Sequence, residues 1–304
     1  MHLSGVKTMG NTFLYEAFGF VLHSEYPVAQ LPSAVKDAVP DIYIRNADLS
    51  GYDLPEDHYR LDEQEVLISI SQVGIFRIAD GKNIEVHPAP ECEISNLGVY
   101  IMGTCMGAVL HQRGFMPLHG SCVTDGEHSV LITGDSGAGK STLAAEFLSK
   151  GWQLLTDDVC AVFAVEGTPR VQSSYPSQKL WQDSLAHYEH PDSDIHSLYF
   201  SEERGKFGVD VSRYFHNGTG PLSMIVRLIP TEGPCSITSI DGVARLDQLL
   251  QNTYRSFMVP PGQRQRHFQR CATLGEKIPM VLLTRQEGEQ CAEQLFDLIL
   301  EYMK

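Results

Sequence analysis

The sequence predicts an α/β fold in which a β-rich N-terminal region precedes a domain built around a phosphate-binding loop. Short alternating apolar runs such as VLISIS dominate residues 1–95. An apolar strand, a glycine-rich turn and a helical pattern follow one another in LITGDSGAGKSTLAAEFLSK. Further strand-like segments and a closing helical pattern follow toward the C-terminus. We therefore divide the chain into residues 1–95, a docking or scaffold domain, and residues 96–304, the domain that carries the loop.

In the N-terminal region, Asp80-Gly81 marks a turn between two strands. The longest uncharged run, LGVYIMGTCMGAVL, is shorter than the roughly 20 apolar residues of a membrane span. It predicts a buried helix from about Ser95 to Arg113 that stops at Gly114. We expect no membrane partner.

Beyond this helix the sequence predicts two strands around the turn TDGE, and then the glycine-rich loop with a helix over 140–150. The strand WQLLT ends at Asp157 and Asp158, and CAVFAVEG, PRVQSS, LSMIVRLIP and IPMVLLTR are further strands. The polar stretch 186–208 reads as a long loop, of the kind that often forms a functional lid. Apolar residues at helical spacing after Glu287 predict a closing amphipathic helix.

Composition limits the classes of function. The chain has 38 acidic and 23 basic residues, a net charge of −15. Nucleic-acid-binding proteins usually carry a basic face, so we expect no nucleic-acid partner. The seven cysteines are scattered and form no C-x-x-C pair, which predicts free thiols in a reducing compartment. The first residues lack the basic start of a signal peptide, so we expect a cytoplasmic protein.

The segment from Gly134 to Ser141 matches the pattern G-x-x-x-x-G-K-[ST] in full. Glycines let successive backbone N–H groups point at one anion, and the helix that follows directs its positive end there. Lys140 adds a charge over the β and γ phosphates, and the Ser141 hydroxyl is suited to bind Mg²⁺. The residues expected to bind the nucleotide are Gly134, Asp135, Ser136, Gly137, Ala138, Gly139, Lys140, Ser141 and Thr142.

Asp157 and Asp158 stand where an acid commonly holds the metal in proteins with this loop. One aspartate would suffice, so two suggest that one holds Mg²⁺ and the other accepts a proton from an attacking hydroxyl. Neighbouring side chains of a strand point to opposite faces, so both reach the site only if the chain leaves strand geometry here. The alternative is that one of them is merely solvated or caps a turn.

Two further groups are candidates. His119 lies one strand before the loop, where a histidine is either structural or an acid–base group. The segment SEERGKFGVDV is either an ordinary charged loop or the source of a cation, Arg204, and a metal ligand, Glu202.

The motifs HGS, GDSGAGKS and GWQLLTDD resemble the catalytic domain of HPr kinase/phosphorylase, which phosphorylates a serine of the sugar-transport protein HPr. The resemblance extends from Leu118 to Val159 and loosely from Glu202 to Val211. It implies an α/β P-loop kinase domain of the HPr kinase type with a β-rich N-terminal domain, using ATP and Mg²⁺. The roles that the resemblance implies complete those read from the pattern. They make the catalytic residues Asp157 (the base), Lys140, His119 and Arg204, and the metal ligands Ser141, Asp158 and Glu202.

The same motifs resemble, more closely, kinases of lasso-peptide biosynthetic clusters that phosphorylate the C-terminal serine of a precursor peptide. This implies a peptide or small-protein substrate, and the wider family implies a homo-oligomer, a hexamer. The Pro-Gly-Arg segment that serves the family's reverse reaction is matched only by VPPGQR, so we expect no phosphorylase activity. HPr itself or a small hydroxylated metabolite are the alternative acceptors. A nucleotide switch or motor ATPase, or a binding module without catalysis, are the alternatives outside kinases; the chain has no N-K-x-D base-reading motif.

Overall fold

The computed structural model of the protein describes residues 12–28, 30–181, 195–196 and 206–304. The fold is a mixed, sheet-rich α/β arrangement with a seven-stranded, a nine-stranded and a three-stranded sheet. The strands of the N-terminal sheet are β1 (Phe13–Ala17), β2 (Phe20–Ser24), β3 (Ile42–Asn46), β4 (Tyr59–Leu61), β5 (Glu65–Ile70), β6 (Gly74–Ala79) and β7 (Asn83–Pro88).

The N-terminal sheet has the order β1-β2-β3-β7-β6-β5-β4. The pairs β2–β3 and β3–β7 are parallel, and the other pairs are antiparallel. The turn predicted at Asp80-Gly81 is confirmed between β6 and β7, with φ of 59° and 60°. The β1–β2 turn likewise has positive φ at Phe18 and Gly19, which matches the twist of a tight hairpin.

One long apolar helix packs on this sheet. It begins as α1 (Ile94–Tyr100), passes through a π-helical turn (Ile101–Cys105) and ends as α2 (Met106–Gln112), which confirms the predicted helix. Its buried side chains share one hydrophobic core with the sheet. Among the described residues, 94–112 is the helix long and apolar enough to cross a membrane, and 67% of its most apolar stretch is buried inside the protein.

The remaining elements follow along the chain. The strands are β8 (Met116–His119), β9 (Ser121–Thr124), β10 (Ser129–Thr133), β11 (Gln153–Thr156), β12 (Val159–Val165), β13 (Thr168–Gln172), β14 (Ser177–Trp181), β15 (Ile195–His196), β16 (Lys206–Asp210), β17 (Thr219–Thr231), β18 (Ser236–Ile240) and β19 (Met280–Gln286). The helices are α3 (Lys140–Ser149), α4 (Val243–Gln251), α5 (Arg264–Lys277) and α6 (Ala292–Met303).

The nine-stranded sheet positions the glycine-rich loop. Its centre is β10, which pairs antiparallel with β9 and parallel with β17, and β17 pairs parallel with β19. The hairpin predicted around TDGE is therefore present as β9 and β10. The loop starts at the carboxyl end of β10, the edge at which parallel sheets bind ligands. Helix α3 and the closing helix α6, which was predicted, pack on the same core as β10 and β17.

The three-stranded sheet has the order β14-β16-β15. It changes the prediction that residues 186–208 form a loop, because 195–196 and 206–208 are strand residues. Residues 206–208 pair antiparallel with β14, and residues 195–196 pair antiparallel with β16, partners that the polar local sequence does not reveal. The rest of the stretch predicted to form a lid lies outside the described residues.

Candidate active site

The glycine-rich loop connects β10 to α3, as predicted. Gly134, Gly137 and Gly139 have φ of 156°, 83° and 103°, values that favour glycine. At Gly134 a Cβ atom would also lie 2.6 Å from the main-chain oxygen of Leu228 on β17, closer than any real contact. The loop can therefore pass this close to the sheet only with glycine at its first position.

Lys140 begins α3 and reaches back over the loop. Its Nζ donates to the main-chain oxygens of Gly134, at 2.9 Å, and Asp135, at 3.1 Å. Ser141 is the next residue, and its main-chain oxygen accepts a hydrogen bond from Gln178 Nε2 at 2.9 Å. The ammonium and the hydroxyl-bearing first turn of the helix thus border the same concave backbone, the arrangement that binds phosphate.

Two arginines that the sequence analysis missed hold the loop from the neighbouring parallel strands. Arg227 on β17 pairs with the Asp135 carboxylate at 3.0 Å, and Arg285 on β19 donates to the Ala138 main-chain oxygen at 2.7 Å. Each arginine lies near the carboxyl end of a strand that runs parallel to its neighbour in the sheet. Only the pairing of β10, β17 and β19 brings them beside the loop, so local sequence gave no signal for them.

Asp157 is buried, with 7% of its surface exposed. Its Oδ1 accepts a short hydrogen bond from the Ser121 hydroxyl, and its Oδ2 accepts from the Lys179 main-chain N–H at 2.8 Å. Burial raises the pKa of this carboxyl, and the neighbouring Asp158 charge adds to the rise, against the effect of the two hydrogen bonds. Asp157 is thus a fixed carboxylate with increased proton affinity.

Asp158 has the opposite character. Its φ of 75° takes the chain out of strand geometry between β11 and β12, so the two adjacent carboxylates reach the same cleft. Its Oδ2 lies 2.8 Å from Lys179 Nζ, and its Oδ1 lies 3.3 Å from His119 Nδ1. Burial opposes the charge of Asp158, but the Lys179 ammonium and His119 outweigh burial and hold its pKa well below the usual range.

Lys179, on β14, is a site residue that sequence reasoning did not find. Burial lowers its pKa, but the attraction of Asp158 exceeds that effect and the net pKa is raised, so the side chain stays charged. The local sequence gave no signal for Lys179, because only the fold brings its ammonium to Asp158.

His119 ends β8 and reaches the cleft. Its Nδ1 also lies 3.1 Å from the Asp158 main-chain oxygen, and its main-chain N–H donates to the Asn252 oxygen at 2.8 Å. The Tyr254 ring lies beside the imidazole, with ring centroids 6.0 Å apart. Tyr254 in turn fills the space that side chains would occupy at Gly103 and Gly107 of the long helix.

One cleft contains most of the predicted site residues. It is lined by His119, Ser136, Gly137, Gly139, Lys140, Ser141, Thr142, Asp157, Asp158 and Lys179. The predicted residues Glu202 and Arg204 lie outside the described residues. Within the described part of the chain, no group of three or more His, Cys, Asp or Glu side chains could hold a metal ion by itself.

The residues of the cleft fit a nucleotide phosphate chain with Mg²⁺. Hard oxygen donors suit this ion, and it is usually bound through one or two carboxylates plus the phosphates of the substrate. The Ser141 hydroxyl and the ionised Asp158 supply such donors. Because Gly134 has no Cβ atom, the loop backbone can approach β17 closely enough to form a phosphate-binding turn.

Comparison with known proteins places this geometry in a family context. Residues 114–179 match the family model of the HPr Serine kinase C-terminal domain. This stretch is HPr kinase-like. It contains the loop, both aspartates, His119 and, as its last residue, Lys179.

The family model matches a minor part of the 304 residues, so the family similarity is shown for this stretch alone. Among solved structures, the HPr(Ser) kinase/phosphatase from Coxiella burnetii is similar at 15% identity, with a TM-score of 0.36. The alignment covers 61% of this chain and 89% of that chain. A TM-score this low is no evidence for the fold or the function of this chain. The comparison with curated proteins gives no match.

Proposed function

We propose that this chain is an ATP-dependent kinase that transfers the γ-phosphoryl group to a serine hydroxyl of a peptide or small protein. The observation that carries the proposal is the pair of unlike carboxylates beside the phosphate loop. Asp157 has a raised pKa and Asp158 a lowered one, although they are adjacent. Nucleotide binding alone needs no proton acceptor, whereas transfer to a hydroxyl does.

The roles follow from the contacts of each residue. Asp157 accepts the proton of the attacking hydroxyl, while Ser121 and the Lys179 N–H keep its carboxylate oriented. Lys140 and the loop N–H groups bind the β and γ phosphates. Lys179, His119 and Arg204 supply positive charge or a proton beside the transferring group, with Arg204 assigned from the family resemblance.

The Mg²⁺ ion would be held by Ser141 and Asp158, with Glu202 as a further ligand from the resemblance. When bound, it neutralises charge on the phosphate oxygens. When no Mg²⁺ is bound, the Lys179 ammonium keeps Asp158 ionised, so its carboxylate is ready to act as a ligand.

As acceptor we propose the C-terminal serine of a lasso-peptide precursor, on the strength of the motifs HGSCV and GAGKSTLAAEFLSKGWQLLTDDV. We further propose a homo-oligomer, a hexamer by family resemblance, that acts in the cytoplasm, with residues 1–95 serving peptide docking.

The test is mass spectrometry of a panel incubated with the protein, ATP and Mg²⁺. The panel contains a serine-terminated lasso precursor, the same peptide ending in alanine, HPr, and no acceptor. Phosphate on the serine-ended peptide alone supports the proposal. Phosphate on HPr alone moves the protein to carbon regulation, and ADP formation that is independent of every acceptor favours the ATPase or switch alternative.

A further inference from the structure

A groove of about 390 Å³ lies between the β1–β2 hairpin and the nine-stranded sheet, apart from the cleft that holds the phosphate loop. That volume is within the usual range of ligand pockets. Its walls combine apolar side chains, among them Phe20, Pro176 and Phe215, with the polar Glu16, Ser174 and Asn217. The groove is therefore neither a purely apolar packing defect nor an ordinary solvated surface.

The polar wall has unused hydrogen-bonding capacity. The Ser174 hydroxyl is buried, with the residue 5% exposed, and has no hydrogen-bond partner among the described residues. Buried hydroxyls are rarely left unsatisfied, so such a group in a groove wall points to a ligand. Within the described part of the chain, the half-buried Glu16 carboxylate forms no ion pair, and the amide of Asn217, an exposed residue, forms no hydrogen bond with the protein.

The groove and the acid pair are joined through β11. The Ser174 N–H donates to the Leu155 main-chain oxygen at 2.9 Å, and Phe215 bridges to Leu154. Asp157 follows Leu155 by two residues. On the other wall, Pro176 precedes Lys179 by three residues, roughly 10 Å of extended chain.

We propose that this groove binds the acceptor chain as an extended peptide, neutral or basic, through the residues that precede the phosphorylated serine. The inference rests on the proposed kinase function. Ser174 and Asn217 then bond the peptide main chain, Glu16 faces a basic side chain, and the apolar wall packs on the peptide's side chains. The net charge of −15 favours the same class of peptide. The distance to Lys179 puts the reacting serine about three residues beyond the groove contacts.

The probes are two fluorescein-labelled synthetic peptides of equal length that end in serine, one carrying lysines and one carrying glutamates. Binding is measured by fluorescence anisotropy without nucleotide, and phosphorylation is measured separately with ATP. We expect the lysine peptide to bind more tightly. Asn217→Trp, which fills the groove, and Glu16→Gln should each raise the Kd of the lysine peptide by about tenfold, while the Kd for a fluorescent ATP analogue stays unchanged.

Matched controls exclude unfolding and general surface effects. Val39→Trp places the same ring at a position that is 83% exposed and outside the groove, and Glu91→Gln removes an exposed carboxylate elsewhere. Ser174→Ala is the sharpest variant, because removing an unpartnered buried hydroxyl leaves the melting temperature the same or raises it. It should nevertheless weaken peptide binding.

The two proposals fail separately. If a peptide binds in a groove-dependent way but is never phosphorylated, the groove proposal stands and the proposed kinase function is overturned. Phosphorylation with a peptide KM unaffected by Asn217→Trp, Glu16→Gln and Ser174→Ala keeps the kinase and overturns the groove. Equal binding to wild type and all three variants, or binding of neither peptide to the wild type, also overturns it.

Discussion

The Lys179 ammonium lies 2.8 Å from Asp158 Oδ2. The main-chain N–H of the same residue donates to Asp157 Oδ2 at the same distance, 2.8 Å. Burial raises the pKa of both carboxyls, but Asp158 forms the direct ion pair with the ammonium, whereas Asp157 feels that charge more weakly; the pKa of Asp157 is therefore raised and that of Asp158 lowered. Environments that separate the pKa values of two nearby carboxyls are a common means of assigning them different roles.

This geometry predicts the pH dependence of transfer. The unmodified protein should lose activity as the pH falls through the raised pKa of Asp157, because a protonated base accepts no proton. Lys179→Met removes a cation that lowers the pKa of both aspartates. The acid limb of the kcat/KM profile should therefore move to higher pH. The exposed Lys36→Met is the matched control and should leave the limb in place; an unmoved limb in Lys179→Met would show that Asp157 is not the titrating base.

The same variant should lose stability in a pH-dependent way. Asp158 has a lowered pKa in the folded protein, so its ion pair stabilises the fold above the unfolded-state pKa of about 3.9 and ceases to do so as the pH falls through the folded value. Since the Lys179 side chain is 40% exposed, we expect a cost below the ~3–5 kcal/mol of a fully buried pair, about 1–3 kcal/mol at neutral pH. Urea unfolding of both proteins across the pH range checks this. A difference that does not shrink toward acid pH would assign the loss to packing.

Asp157→Asn should retain ATP binding and lose transfer. The amide keeps the size of the carboxyl but accepts no proton, and general-base catalysis contributes on the order of 10²–10⁴ in rate. Single-turnover transfer and titration with a fluorescent ATP analogue measure the two properties separately. Ser121→Ala provides the graded comparison, because it removes one orienting hydrogen bond and leaves the base. Near-normal transfer by Asp157→Asn would make the assignment of the base wrong.

The sequence predicted those parts of the site that are local in the chain. The strand, the glycine-rich loop and the start of α3 are consecutive, and the condition set for the two aspartates is met by the φ of 75° at Asp158. Lys179, Arg227 and Arg285 were missed because they reach the site through sheet pairing. Helices α4 and α5 were missed as well; α5 carries six charged or histidine residues in RQRHFQRCATLGEK, which hides its apolar stripe.

Gly134→Ala tests how tightly the loop is fitted to the sheet. The added Cβ would lie 2.6 Å from the Leu228 main-chain oxygen, so the loop must move away from β17 and its N–H groups must turn. We expect ATP affinity to fall more than tenfold, together with a loss of thermal stability. Gly126→Ala separates strain from collision: Gly126 also has positive φ, 98°, but a Cβ there meets nothing within 4 Å. If both variants lose equal stability and neither loses ATP affinity, the close approach at Gly134 does not matter for the site.

Arg227 and Asp135 should act as one unit in ordering the loop. The guanidinium, whose side chain is 16% exposed, pairs at 3.0 Å with a carboxylate that is 81% exposed, and it also donates to Asn252 Oδ1 at 3.2 Å. Because solvent screens the pair on the Asp135 side, we expect a coupling energy of only about 0.2–1 kcal/mol in a double-mutant cycle of Arg227→Met and Asp135→Asn. The single change Arg227→Met should cost more than Asp135→Asn, since it also frees Asn252 beside the main-chain bond to His119. The KM for ATP and the free energy of unfolding of all four proteins give the cycle. A coupling near zero in the KM for ATP, with a large effect of Arg227→Met alone, would place the arginine's role at Asn252 and His119 instead of at the loop.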